Sequence, residues 1–287
     1  MFMRSIALKA AFAVSAFALS AVVAATPASA QQPGAHFEQI RMGSATQTGV
    51  DTPLDVRGFE YIAHFALNPG HGLTGASLVV PGPSGARLVD MTLVDNSLFV
   101  FRSATFADPD ALEAAFPEGP YAVEAGGPST TVEFTVPQLT EVYPGNFPRL
   151  TGTTFTDLQG MDTSLAFEFH VTPLPLFAEA DRQSVQLFVD DKDTGETAFS
   201  GPMPAGDASS VTMPAHLLQP GRTYVWSLYH GNSVDADHPD LLHGISASYV
   251  FMTQGEFVTA VPEPATLALA CAGLVLVAGR LRARASA

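Results

Sequence analysis

Between residues 61 and 252 the chain repeats one pattern: a run of four to eight residues that alternate in polarity or are rich in β-branched and aromatic side chains, then a turn former. The runs fall at 61–66, 76–80, 86–93, 97–102, 121–124, 130–136, 164–171, 184–189, 197–200, 209–213, 223–229 and 247–252. Between them lie Asn68-Pro69-Gly70, Pro81-Gly82-Pro83, Gly126-Gly127-Pro128, Gly201-Pro202 and Gln219-Pro220-Gly221. A period of two places every second side chain on the same face of a strand, and the prolines and glycines break any helix, so the pattern predicts an all-β chain. One helix is expected, over 108–116. There Asp108 can cap, Pro109 suits the first helical position and Ala111-Leu112-Glu113-Ala114-Ala115 favours helix.

The only cysteine, Cys271, lies outside this region, in an apolar run near the C-terminus. No disulfide can staple the β region, so its stability must come from core packing, which favours domains of full size. About 230 residues between the two ends suit two such domains. A boundary is expected near 137–144, stiffened by Pro137, Pro144 and Pro148. A weak internal repeat supports it: Phe116-Pro117-Glu118-Gly119-Pro120-Tyr121 and Leu218-Gln219-Pro220-Gly221-Arg222-Thr223-Tyr224 each lead into a strand-like run. The second copy, Leu218-x-Pro220-Gly221-x-x-Tyr224, resembles the turn before strand F of fibronectin type III domains. That resemblance implies a tyrosine folded back to hydrogen-bond the preceding backbone. The first copy is a residue shorter, with Phe116 in place of the leucine. The expected architecture is two tandem immunoglobulin/fibronectin III-like β-sandwich domains, 31–137 and 138–254, followed by a linker over 255–260.

Both ends have a different character. Arg4 and Lys9 precede an uncharged apolar run over 10–25, and Ala28-Ser29-Ala30 then forms a small-x-small site before Gln31. This order is that of a secretion signal in 1–30, cleaved between Ala30 and Gln31. At the C-terminus Val261-Pro262-Glu263-Pro264 precedes an apolar run over 265–279, and Arg280, Arg282 and Arg284 close the chain. As a transmembrane helix the run would be about 22 Å long, short of the ~30 Å hydrocarbon core. The arginines would hold the extreme C-terminus on the cytoplasmic side.

The order of a Pro-Glu-Pro motif, one apolar span and a terminal arginine cluster resembles the PEP-CTERM sorting signal, over 261–287. The resemblance implies processing by an exosortase-type membrane protease in a Gram-negative bacterium, often one that makes exopolysaccharide. It also implies a precursor anchored in the inner membrane, then a product at the cell surface or in the extracellular matrix.

The region 31–260 holds 8 basic and 27 acidic residues, a balance of −19, with Lys192 its only lysine. Nucleic acid is excluded as a partner, because a polyanion would be repelled and no basic stripe exists. The absence of cysteine from this region excludes thiol nucleophiles and cysteine-ligated zinc.

Two carboxylate clusters are candidate cation sites. In Asp190-Asp191-Lys192-Asp193-Thr194-Gly195-Glu196 the oxygens of Asp191, Asp193 and Glu196 alternate as in calcium loops. A hairpin turn with Gly195 at positive φ explains the same residues. His230, Asp235, Asp237, His238, Asp240 and His243 crowd what reads as one loop, with side chains that suit a transition metal but a spacing that matches no known motif. Trp226 alternates with Tyr224 and Leu228, which points all three into the core, whereas Tyr229 and Tyr249 are expected to be more exposed and better suited to stacking on a sugar.

There is no Gly-x-Ser-x-Gly elbow, His-Glu-x-x-His pair, phosphate-cradling glycine loop or dinucleotide fingerprint. The sequence therefore reads as an exported, non-catalytic envelope or matrix protein without cofactor, associated with exopolysaccharide or adhesion. A cation-dependent glycan-binding module using Ca2+ and a secreted enzyme acting on envelope polymers are the alternatives.

Overall fold

The structure, a computed structural model, describes residues 34–67, 73–82, 85–95, 97–126, 131–137, 139, 146–203 and 210–261. Its strands are β1 (Gly34–Thr46), β2 (Asp55–Leu67), β3 (Ala76–Val80), β4 (Arg87–Asp95), β5 (Leu98–Arg102), β6 (Pro120–Ala125) and β7 (Thr131–Thr135) in the first half. The second half supplies β8 (Phe167–His170), β9 (Arg182–Asp191), β10 (Thr197–Met203), β11 (Ser210–Met213), β12 (Thr223–Ala236) and β13 (Ile245–Val258). Two short helices complete the described elements, α1 (Pro109–Ala115) and α2 (Thr154–Leu158). The helix expected at 108–116 is α1, and Asp108 caps it by accepting a 2.8 Å hydrogen bond from the Ala111 N–H.

Eleven strands form one sheet in the order β10-β9-β12-β13-β1-β2-β5-β4-β3-β6-β7, while β11 and β8 pair separately. The halves are segregated in that order, and they meet at β13 and β1, which pair in parallel from Phe37↔Ile245 to Thr46↔Gln254. A parallel pair needs a long connection, and here the connection is the whole intervening chain. Separate tandem sandwiches would not share a sheet in this way, so the protein is better described as one large sandwich-like sheet.

Each half packs onto the same face of the central strands. In the first half β4 pairs with β3 through Arg87–Met91 and with β5 through Thr92–Asp95, and the chain folds over there. This brings Phe134 of β7 against Phe37 of β1 (4.2 Å between ring centroids) and Tyr121 of β6 against Tyr61 of β2 (6.2 Å). In the second half the β8·β11 pair supplies Phe169 and Met213 to a core built on Val185, Leu187, Val189, Trp226 and Leu228. A third cluster, Ile40, Met42, Ile62, Tyr229, Val250 and Met252, lies across four strands on the opposite face. Tyr229, expected to be exposed, is 4 % exposed.

Two tyrosines fold back onto the chain before their strands, one in each half. The Gln219 N–H donates to the Tyr224 hydroxyl oxygen (2.9 Å), and the Tyr121 hydroxyl donates to the Pro117 carbonyl (2.7 Å). Burial pushes the Tyr121 hydroxyl pKa up to about 12, so this bond keeps its donor at every physiological pH.

Trp226 is fully buried and faces Gly255 directly across the β12·β13 pair. A Cβ at Gly255 would lie 2.8 Å from the indole ring and 2.9 Å from the Gln47 carbonyl oxygen, so glycine makes room for the indole. Gly255→Val is expected to destabilise the fold by roughly 1–3 kcal/mol through overpacking. Urea unfolding followed by the fluorescence of this sole tryptophan checks it, and an unchanged midpoint would contradict the packing assignment.

Candidate functional site

The site best defined by the fold is the point where the C-terminal tail leaves it. Residues 255–260, expected to be a linker, are structured: β13 continues to Val258, and the next two residues are pinned. Gly160 N–H donates to the Val258 carbonyl (2.7 Å), Thr259 N–H to the Arg222 carbonyl (3.0 Å) and Ala260 N–H to the Met161 carbonyl (2.9 Å). In return the Ala260 carbonyl accepts from Gly221 N–H (3.1 Å), and the Thr259 hydroxyl donates to the Gln219 carbonyl (2.8 Å) while accepting from Arg222 N–H (3.0 Å). The turns at 158–161 and 219–222 thus clamp the chain from two sides. Val261, the next residue, is 73 % exposed. The remainder of the expected motif, Pro262, Glu263, Pro264, Arg280, Arg282 and Arg284, lies outside the described residues, as do Ala28, Ala30 and Gln31 of the expected signal cleavage site. Among the described residues no helix is long and apolar enough to cross a membrane, and the apolar run 265–279 is not among them.

Beside the exit point stands the Asp190–Glu196 segment, which is a hairpin turn between β9 and β10. Gly195 takes φ +70°, as a turn reading requires. One oxygen of Asp191 accepts from Asp193 N–H and Thr194 N–H (both 3.0 Å), and the other meets Arg222 Nε at 3.1 Å. Those contacts, led by the Thr194 N–H bond, hold the Asp191 carboxyl below its usual pKa. Arg222 also reaches Asp193 (3.5 Å). The Arg222 guanidinium thus lies between the two carboxylates. Among the described residues no three His, Cys, Asp or Glu side chains converge on a point that could hold a metal ion.

The histidines and aspartates expected in one loop are dispersed by the length of β12, which runs to Ala236 and carries both His230 and Asp235. His230 is fully buried in the sheet. Asp235 makes a paired contact with Arg182 (2.7 and 2.8 Å) and accepts from the Ser246 hydroxyl (2.6 Å). His238 Nε2 donates to the Glu133 carbonyl of β7 (2.9 Å), and its Nδ1 accepts from Asp240 N–H (3.2 Å), which occupies both ring nitrogens. The His243 carbonyl accepts from His36 Nδ1 (3.1 Å). These groups fasten β7 and β1 to the 237–244 turn.

Trp226, Tyr224 and Leu228 are core residues on one face, as their alternation predicts. Tyr249 is 7 % exposed and donates to Glu113, so it offers no stacking platform.

The polar groups that sequence reasoning misses sit in the sheet interior. Arg41, fully buried on β1, meets Glu113 of α1 at 2.7 Å and donates to the Phe116 carbonyl (2.9 Å), with its guanidinium 5.8 Å from the Tyr249 ring centre. On the same face Gln39, Gln183 and His230 each keep a buried nitrogen without a hydrogen-bond partner among the described residues.

Residues 260–283 match the PEP-CTERM protein-sorting motif. No curated protein matches the chain. Solved structures with some likeness include trypsin-activated alpha-2-macroglobulin from Escherichia coli, at 12 % identity over 83 % of this chain and 16 % of that one, with a TM-score of 0.25. The BSP domain of a biofilm associated protein aligns at 13 % identity over 71 % of this chain and 28 % of its own, with a TM-score of 0.20. A third structure concerns host cell surface retention of a 1.5-MDa bacterial ice-binding adhesin, at 12 % identity, 80 % and 66 % coverage and a TM-score of 0.24. The chain spans less than two thirds of each of these proteins, and likenesses at such TM-scores carry no argument about what it does. The chain carries a C-terminal PEP-CTERM protein-sorting motif, set directly behind a folded β region.

Proposed function

We propose that the chain is an exported, non-catalytic protein of the cell envelope or extracellular matrix, processed through its tail by an exosortase-type membrane protease and associated with exopolysaccharide or adhesion. The observation that carries this reading is the position of the sorting motif. The last hydrogen bonds of the described fold are those of Ala260, one residue before Val261. A cut beyond Val261 breaks no hydrogen bond found among the described residues, so the tail is separable from the body it delivers. The acidic balance of 31–260 keeps that body soluble after release and disfavours binding to polyanions. The absence of a recognisable catalytic motif supports a structural or binding role over an enzymatic one.

Intact-mass and fractionation analysis of the native protein tests the reading. A mature chain that begins at Gln31, lacks the arginine tail and fractionates with exopolysaccharide is the expected result. Glu263→Ala is expected to retain the tail and hold the protein in the inner-membrane fraction. A wild-type protein that keeps its tail and stays in the inner membrane would overturn the sorting reading in favour of a membrane-tethered periplasmic domain.

A further inference from the structure

The chain leaves the described fold with almost no slack. Ala260 is held on both sides, and only five residues carry the chain from it to Ala265, where the apolar run begins. Fully extended, five residues reach about 18 Å. Two of the intervening residues are prolines, which favour a conformation rising about 3.1 Å per residue and so a reach nearer 16 Å. The headgroup layer of one leaflet takes up roughly 5–7 Å of that length. While the apolar run is in the membrane, the exit end of the fold therefore clears the lipid surface by at most about 13 Å, and by about 10 Å at the rise prolines favour.

The surface at that end suits close approach. Leu165 (63 % exposed), Leu217 (43 %), Val258 (47 %) and Val261 (73 %) are four of the nine large hydrophobic side chains exposed among the described residues. Backbone bonds gather the segments that carry them: Gly160 N–H to the Val258 carbonyl (2.7 Å), His216 N–H to the Thr163 carbonyl (2.8 Å) and Gly221 N–H to the Ala260 carbonyl (3.1 Å). The nearby cations are already paired, Lys192 with Glu256 (2.6 Å) and Arg222 with Asp191 (3.1 Å), so attraction to anionic lipid is not the basis of contact. Aliphatic side chains entering the interface are.

We propose that in the anchored precursor this exit end rests in the lipid headgroup layer on Leu165, Leu217, Val258 and Val261. Strands β12 and β13 then rise away from the membrane, and the turn at 237–244 faces outward. The fourteen residues of β13 place that turn about 45 Å from the exit end. This proposal rests on the reading of 265–279 as the anchor.

The test uses the full chain with Cys271→Ser and a single cysteine at either end, Leu217→Cys or Leu242→Cys. Leu242 is also surface-placed, and more so (64 % exposed), but lies in the outward turn. Each variant is labelled with an environment-sensitive fluorophore and reconstituted into phosphatidylcholine vesicles that contain a headgroup spin-labelled lipid quencher. Quenching several-fold stronger at position 217 than at 242 is expected. Protein that floats with the vesicles but is quenched no more at 217 than at 242 overturns the contact while leaving the anchor standing. Protein that fails to float overturns the anchor, and the contact with it.

Discussion

Replacing Glu113 by alanine is expected to lower the stability of the fold by about 3 kcal/mol, the low end of the range for breaking a buried ion pair. Arg41 is fully buried, whereas the Glu113 side chain keeps 33 % of its surface in water, which is why the low end applies. The loss arises from the partner left behind. Without Glu113 the buried guanidinium of Arg41 is left, among the described residues, to the Phe116 carbonyl and the face of Tyr249. For a body of this size the thermal midpoint should fall by roughly 6–12 °C. Glu113→Gln keeps an acceptor for Tyr249 and Arg41 and is expected to lose less. Pairing Arg41→Met with Glu113→Leu should recover most of the loss, because removing both charges leaves none uncompensated. A single Glu113→Ala variant that melts with the wild type would show that Arg41 finds another partner. The same contact ties α1 to the seam strand β1, so its loss should loosen α1 first, as local hydrogen exchange would report.

The same residues explain what the sequence conceals. Twelve of the thirteen described strands overlap one of the runs, because those runs alternate in polarity or are rich in β-branched and aromatic side chains. The exception is β1, where Glu38, Gln39 and Arg41 are buried beside Phe37, Ile40 and Met42. Both faces of β1 are covered, and polar side chains occupy places on each, so the period-two signal vanishes. The strand that joins the two halves is thus the one with no legible pattern. The lengths of β12 and β13 fail for a similar reason: Asn232, Ser233 and Ser246 are buried polar residues that read as loop. That misreading made a loop cluster of His230 and Asp235. Local chemistry was easier to read. Asp108 caps α1, Gly195 takes positive φ, and Tyr224 folds back onto the residues before it, since each depends on near neighbours in the chain. The tail motif was legible for another reason, because its recognition rests on the order of residue types and needs no fold.

Acid should destabilise the folded protein through His230, over a window set by that residue alone. Its ring lies fully buried on β12, flanked across the sheet by Val185 and Phe251, and among the described residues neither nitrogen has a hydrogen-bond partner. Burial lowers its pKa from 6.5 to about 4. Above pH 6.5 the ring is neutral in both states and stability does not depend on it. Between pH 6.5 and 4 only the unfolded chain takes the proton, so stability falls as pH falls, by up to about 1.4 kcal/mol per unit. Below pH 4 both states are protonated and the loss levels off at about 3 kcal/mol. His230→Leu removes the unpartnered nitrogens together with the titration. It is expected to lie within about 1 kcal/mol of the wild type at pH 7, and to exceed it at pH 4.5 by about 2.5 kcal/mol more than that difference. Because both proteins share every carboxylate and His36, whose pKa burial also lowers, subtracting the two stability curves isolates His230. Parallel curves from pH 7 to 4.5 would mean that the ring is protonated in the fold, with a partner or solvent reaching it there. A gap that opens on acidification would instead place an unpaired neutral imidazole among the buried residues of the sheet, beside the seam that holds the two halves together.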